Sequence, residues 1–241
     1  MALLLRCRRR SRLRPHQPRP RLHALEGDRH DQHPRPVSAR RPGRARPRRG
    51  RRGDRAWTGS SALAGFTVGG LAAHLLQQLT SVTAALAADH EGKATVTLFE
   101  HYDRVAWLAA DIDNDYNTGI RDGGERAAET GAAAVAAEAE AALAGLEAAL
   151  PAMEGSETSG NTRWPYAMGL DDFLCTRLME LVVHSDDLAY SVGIDTPVFD
   201  EDVFDTAAWM LARLAVKRHG QADLVRALAR SERAPGTISG L

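Results

Sequence analysis

Four side chains in the last third of this sequence have types and spacing that could do chemistry: Arg177, Glu180, His184 and Asp187. They stand at i, i+3, i+7 and i+10, which is one face of a helix. Around them lie Leu174, Leu178, Met179, Leu181, Val182, Val183 and Leu188, so the helix is apolar almost all the way round and is expected to be buried. A carboxylate and an imidazole four residues apart are costly in such a helix unless they pair or hold a metal. The same spacing also fits two ordinary i, i+3 pairs, Arg177 with Glu180 and His184 with Asp187. Spacing alone does not separate the two readings.

A metal site needs a third ligand from another helix, and His74 is the best candidate. It follows Gly69, Gly70 and Leu71 on a helix with a clear apolar face. Two glycines cost helix stability, which suggests that something packs closely there. Two His and one Glu would leave zinc an open position, as catalytic zinc sites do. Asp187, one turn beyond His184, could then orient its imidazole, and Arg177 could orient the Glu180 carboxylate or meet an anionic substrate. Of the remaining candidates, His219 reads as a helix end and His101 as part of a solvated turn. His90 gains nothing from its context, and Cys175 reads as a small core residue.

The elements that must position these groups are helical. Thr67 can N-cap a helix carrying Val68, Leu71, Leu75, Leu76, Leu79, Val82 and Leu86, and Asp89-His90-Glu91-Gly92 breaks it. A second helix is expected from about Ala94 to Asp115, with Val96, Phe99, Val105, Trp107, Leu108 and Ile112, ended by Asn117-Thr118-Gly119. A long Ala/Glu-rich helix should run from about Gly123 to Leu150 and stop at Pro151. Residues 154–166 read as a loop. The polar-stripe helix spans about Gly169 to Val192, with Gly193 as C-cap and Pro197 barring continuation. Two further helices fit 200–218 and 221–231. No alternating run is convincing as a strand, so residues 56–241 read as an all-α bundle.

Residues 1–55 are a different kind of sequence. They hold 19 Arg, no Lys and 4 acidic residues, an excess of about +15, whereas the remaining residues carry about −15, so the net charge of zero describes neither part. The segment has no Phe, Tyr, Trp, Ile, Asn, Thr or Lys and is expected to be disordered. Such a composition is what a GC-rich gene gives in the wrong frame. A frameshift or misassigned start is the first reading, ahead of a basic arm for nucleic acid and of a targeting peptide. Two cysteines, Cys7 and Cys175, without a CxxC or any paired spacing, indicate neither a disulfide framework nor a thiolate zinc site. No run approaches the length of a membrane span, and a cytoplasmic location is expected.

Two segments carry a family resemblance. Trp57 and Phe66-Thr67-Val68-Gly69-Gly70-Leu71-Ala72-Ala73-His74-Leu75, followed by Arg177-x-x-Glu180-x-x-x-His184-x-x-Asp187-Leu188, resemble the metal-binding N-terminal domain of the mycothiol-dependent maleylpyruvate isomerase family. That family belongs to the DinB-like four-helix bundles. The resemblance covers about residues 57–240 and implies a DinB-like bundle with extra C-terminal helices. It implies metal ligands at His74, Glu180 and His184, usually for zinc, and mycothiol as the thiol cosubstrate. The implied partners are a small-molecule thiol and an electrophile; nucleic-acid binding through the basic arm is a third reading and no membrane is expected. The implied activity is a thiol-dependent transferase or isomerase; a non-enzymatic metal-bearing sensor or docking bundle is the alternative. The isomerase proper resembles a two-domain protein, and this chain ends at Leu241 with no room for the second domain. Maleylpyruvate isomerisation itself is therefore not expected. The family also has a bundle helix where this chain has its Arg/Pro-rich segment.

Overall fold

The computed structural model describes residues 56–105 and 113–241. The expectations for residues 1–55, and for Trp107, Leu108 and Ile112, lie outside the described residues. Among the described residues there are seven helices and a small three-stranded sheet.

Helix α1 (Val68–Ala87) begins as its sequence predicts. The Thr67 side chain accepts from Gly70 N at 2.9 Å, which satisfies one of the free N–H groups of the first turn. The helix packs against α3 (Asp115–Ala128), α4 (Ala132–Ala149) and α5 (Leu170–Val192), and so lies at the centre of the bundle. The two glycines explain how. A Cβ on Gly69 would fall 2.6 Å from the Trp57 indole, and one on Gly70 would collide with the Glu125 carboxylate of α3. Glu125 accepts from Thr67 N at 2.7 Å and Thr67 Oγ1 at 2.8 Å, fixing the entry of α1 against α3.

The expected helix from Ala94 to Asp115 is not formed as such. Ala94–Val96 is a strand, β1, followed by the short helix α2 (Leu98–Arg104). Thr97 and Glu100 form a reciprocal capping box, which starts α2 four residues later than the apolar pattern suggests. Asn117-Thr118-Gly119 does not end a helix but lies inside α3, because Asn114 caps it by accepting from Asn117 N at 2.9 Å. The expected helix from Gly123 to Leu150 is two helices. Gly131 at φ +87° breaks it, with α3 ending at Ala128 and α4 starting at Ala132. Leu150–Ala152 is a single 3-10 turn containing Pro151.

The absence of strands is likewise corrected. The segment read as a loop contains β2 (Thr158–Ser159), and β3 (Tyr166–Gly169) follows. The strand order is β1-β3-β2, with β1 parallel to β3 (Val96 opposite Met168) and β2 antiparallel to it (Ser159 opposite Met168). Strand β3 runs directly into α5. The first free N–H groups of α5 go to the preceding loop, Leu170 N to Glu157 O at 2.8 Å and Asp171 N to Gly155 O at 3.0 Å.

The first half of α5 is buried as expected, with Leu170, Phe173, Leu174, Leu178 and Met179 in the main core beside Val82 of α1. Cys175 is buried there too. From Glu180 onward most of the helix is only half-buried, so it is not enclosed along its whole length. Gly193 closes it at φ +74°, as read. Helices α6 (Glu201–His219) and α7 (Gln221–Ala229) follow, α6 against α5 and α7 against α6. His219 is the last residue of α6 and donates through Nε2 to Ser239 O at 2.9 Å. No helix among the described residues is long and apolar enough to cross a membrane.

Candidate metal centre

Helices α1 and α5 bring three sequence-distant donors together. One ligand atom from each of His74, Glu180 and His184 lies within 4.8 Å of the others, and all three residues are half-buried. The His74 and His184 rings meet edge to face with centroids 4.9 Å apart. His184 stands between two carboxylates: its Nε2 is 3.0 Å from Glu180 Oε2 and its Nδ1 is 3.0 Å from Asp187 Oδ2.

The electrostatics separate the two imidazoles. Burial and the charge of His184 push His74 down to about 4, against the opposing pull of Glu180, so His74 is neutral. Burial would also lower His184, but hydrogen bonds to Asp187 and Glu180 and their charges outweigh it and raise the group to about 9. Burial would raise the Glu180 carboxyl. The His184 hydrogen bond and the charges of Arg177 and His184 prevail and hold it at about 2. A proton on His184 Nε2 thus bridges the imidazole and the Glu180 carboxylate.

Two glutamines that the sequence reading passed over complete the surroundings. Gln77 Oε1 lies 3.4 Å from His74 Nδ1. An amide oxygen can only accept, so this contact places the His74 proton on Nδ1 and its lone pair on Nε2. Gln78, 2 % exposed, donates to His74 O at 3.1 Å and accepts from Arg177 Nη1 at 2.6 Å. Both stand three and four residues after His74, a helical spacing that could have singled them out.

Arg177 does not pair with the Glu180 carboxylate as its spacing suggested. Its bonds go to Gln78 and, from Nε, to Thr176 Oγ1 at 3.0 Å, and its guanidinium lies 5.4 Å from the Phe173 ring centroid. Its charge still helps to hold the Glu180 carboxyl down. Asp187 stands where the reading put it, on His184 Nδ1. His101 overturns its reading as part of a solvated turn. It is 1 % exposed, shares a hydrogen bond at Nδ1 with Tyr166 Oη at 3.0 Å, and lies tilted against the Trp164 ring with centroids 4.5 Å apart. Burial and Arg177 push it down to about 4. His90 is also buried, with Nε2 donating to Ala85 O at 3.1 Å.

Residues 41–189, more than half of the sequence, match the family model described as the mycothiol maleylpyruvate isomerase N-terminal domain. The chain belongs to this family. The match takes in α1 and nearly all of α5, hence all three donors, and it begins upstream of the described residues. No curated protein and no solved structure matches this family member.

Proposed function

We propose that His74, Glu180 and His184 hold a divalent ion, zinc, and that this family member is a thiol-dependent transferase or isomerase using a mycothiol-type thiol. The observation that carries the reading is the convergence of two imidazoles and one carboxylate from two helices in a chain of this family. The donor set fits. Nitrogen and carboxylate oxygen are zinc ligands, and three protein ligands are the number found where zinc keeps a position for a small molecule. The residues are half-buried rather than sealed, so a thiol could reach them. When bound, the ion supplies positive charge that lowers the proton affinity of a thiol and makes the nucleophilic thiolate available at neutral pH.

The chain's own groups have separable tasks. His74 offers a neutral imidazole, with Gln77 holding its proton on Nδ1. Glu180 is ionised and offers the charged oxygen. Asp187 keeps a proton on His184 Nδ1, which directs Nε2 toward Glu180 and stiffens the ring. Arg177 adds positive charge beside the donors without occupying them.

The test is metal content and turnover together. Full-length protein should purify with, or take up, close to one zinc per chain, and His184→Ala should lose it. Zinc-loaded protein should accelerate conjugation of mycothiol to an electrophile. A protein that neither holds stoichiometric metal nor loses any on His184→Ala would remove the basis of the proposal. Metal and thiol binding without turnover would instead favour a sensor or docking bundle.

A further inference from the structure

Helix α7 has no buried residue. It meets α6 with Leu224 and Ala227 half-buried, and most of its remaining surface is open. Val225 and Leu228 stand there 62 % and 75 % exposed. Arg226 and Arg230, one turn apart, border them on one side, and Arg233 of the following 3-10 turn lines the same open groove. Helices this short take their stability from the face they pack, so an uncovered apolar stripe on α7 is an unmade contact. The arginines are also open to a new partner. Arg226 with Asp223 at 3.0 Å and Arg233 with Glu232 at 3.7 Å are exposed neighbours in sequence, and such pairs contribute little. Arg230 bonds to the Ala229 carbonyl at 3.1 Å and has no ion pair among the described residues.

The occupant of this face must be acidic and smooth enough to seat Val225 and Leu228. The chain itself carries such a surface. Residues 206–241 hold six Arg and Lys against two acidic residues, whereas residues 56–205 hold six against twenty-five. Within that acidic part, α4 has no basic residue, and only Val135 and Leu146 of it are buried. Ala133, Ala137, Ala141, Ala144 and Ala148 lie exposed along one stripe of α4. Glu140 and Glu147, two turns apart, border that stripe and are exposed, with no ion pair among the described residues. Small side chains at a contact let helix axes approach closely. Large apolar groups with arginines on α7 therefore match small ones with glutamates on α4. Helix α4 packs on α1 and α3 while α7 packs on α6, so a single copy leaves both faces open.

We propose that the open face of α7 docks on α4 of a second copy of this chain. Val225 and Leu228 seat on the alanine stripe, and Arg226 and Arg230 face Glu140 and Glu147. Each copy carries both faces, so two copies that exchange the contact form a closed two-fold dimer.

Sedimentation velocity of the full-length, metal-free protein reads the contact. A species heavier than the monomer should grow in with concentration and recede as salt is raised, because exposed charge pairs are screened. Two charge reversals locate it. Arg226→Glu with Arg230→Glu, and separately Glu140→Arg with Glu147→Arg, should each weaken self-association by about tenfold or more, since each sets like charges against one another. Mixing the two variants places opposite charges at both contacts again and should restore association. Leu228→Ala should weaken it with no change of charge. A chain that is monomeric at every concentration overturns the proposal. Association that both reversals leave intact, or that the mixture fails to restore, overturns it as well. A monomer that co-sediments with anionic vesicles, and ceases to do so in Arg226→Glu with Arg230→Glu, overturns it in favour of a lipid surface. Should a reversal fail to fold, Leu228→Ala and the wild-type salt dependence still decide. None of these measurements needs a bound ion, so the outcome is separate from that of the metal proposal.

Discussion

At the scale of single residues, the His184 proton governs what the centre can do. His184 donates to Glu180 and Asp187 at once, and its pKa stands at about 9 against an ordinary value of 6.5. The folded-state value is raised, so in the metal-free protein this group's contribution to stability is complete below pH 6.5 and is lost as pH rises through about 9. A metal must displace the Nε2 proton. Zinc uptake at pH 7 should therefore release about one proton, and affinity should climb with pH until about 9. Calorimetry in buffers of different ionisation enthalpy measures that proton directly. Asp187→Asn removes one of the two charges that hold it. This variant should flatten the pH dependence while weakening metal affinity by about 10- to 100-fold, through loss of ring orientation. An unchanged proton count in Asp187→Asn, with unchanged affinity, would mean that Asp187 does not support the ring.

At the scale of elements, the close approach of α1 and α3 sets where His74 stands. A Cβ on Gly124 would lie 2.7 Å from Gly70 O and 3.0 Å from the Phe66 ring, and a backbone carbonyl cannot move aside as a side-chain tip can. Gly124→Ala should destabilise by about 1–3 kcal/mol through overpacking. Gly145, inside α4 with nothing within 4 Å of a new Cβ, should respond in the opposite sense. There Gly145→Ala removes only the entropic cost of glycine and should stabilise by about 0.5–1 kcal/mol. Urea midpoints of the two variants check the pair. The same elements show what could be read in advance. The α1 cap at Thr67, the glycines awaiting a close neighbour and the Glu180–His184 face were all visible, because each is a local pattern within two helical turns. The sheet was not. Its strands are three, two and four residues long, too short to show alternation, and β1 pairs with β3 from a distant part of the chain. Burial of His101 was hidden for the same reason, since Tyr166 and Trp164 come from that distant segment.

At the scale of the whole molecule, the donor group is a junction between two helices that the core already holds side by side. His74 belongs to α1 and Glu180 and His184 to α5, and no residue of the short sheet takes part. An ion held there by all three would bind the folded chain and not the unfolded one, because His74 is more than 100 residues from Glu180 and His184 in sequence. Mass action then fixes the size of the effect. At a free zinc concentration a thousandfold above the dissociation constant, folding gains about 4 kcal/mol. For a domain of this size each kcal/mol moves the melting temperature by about 2–4 °C, so zinc should raise it by about 8–16 °C relative to a chelator. His74→Ala leaves the two α5 ligands in place but cuts the link to α1. Its melting temperature should respond to zinc far less than that of the wild type, even though its own packing loss is small. Scanning calorimetry with zinc and with EDTA on both proteins measures the difference of differences. An equal zinc-induced shift in His74→Ala would show that the ion, wherever it binds, does not join α1 to α5.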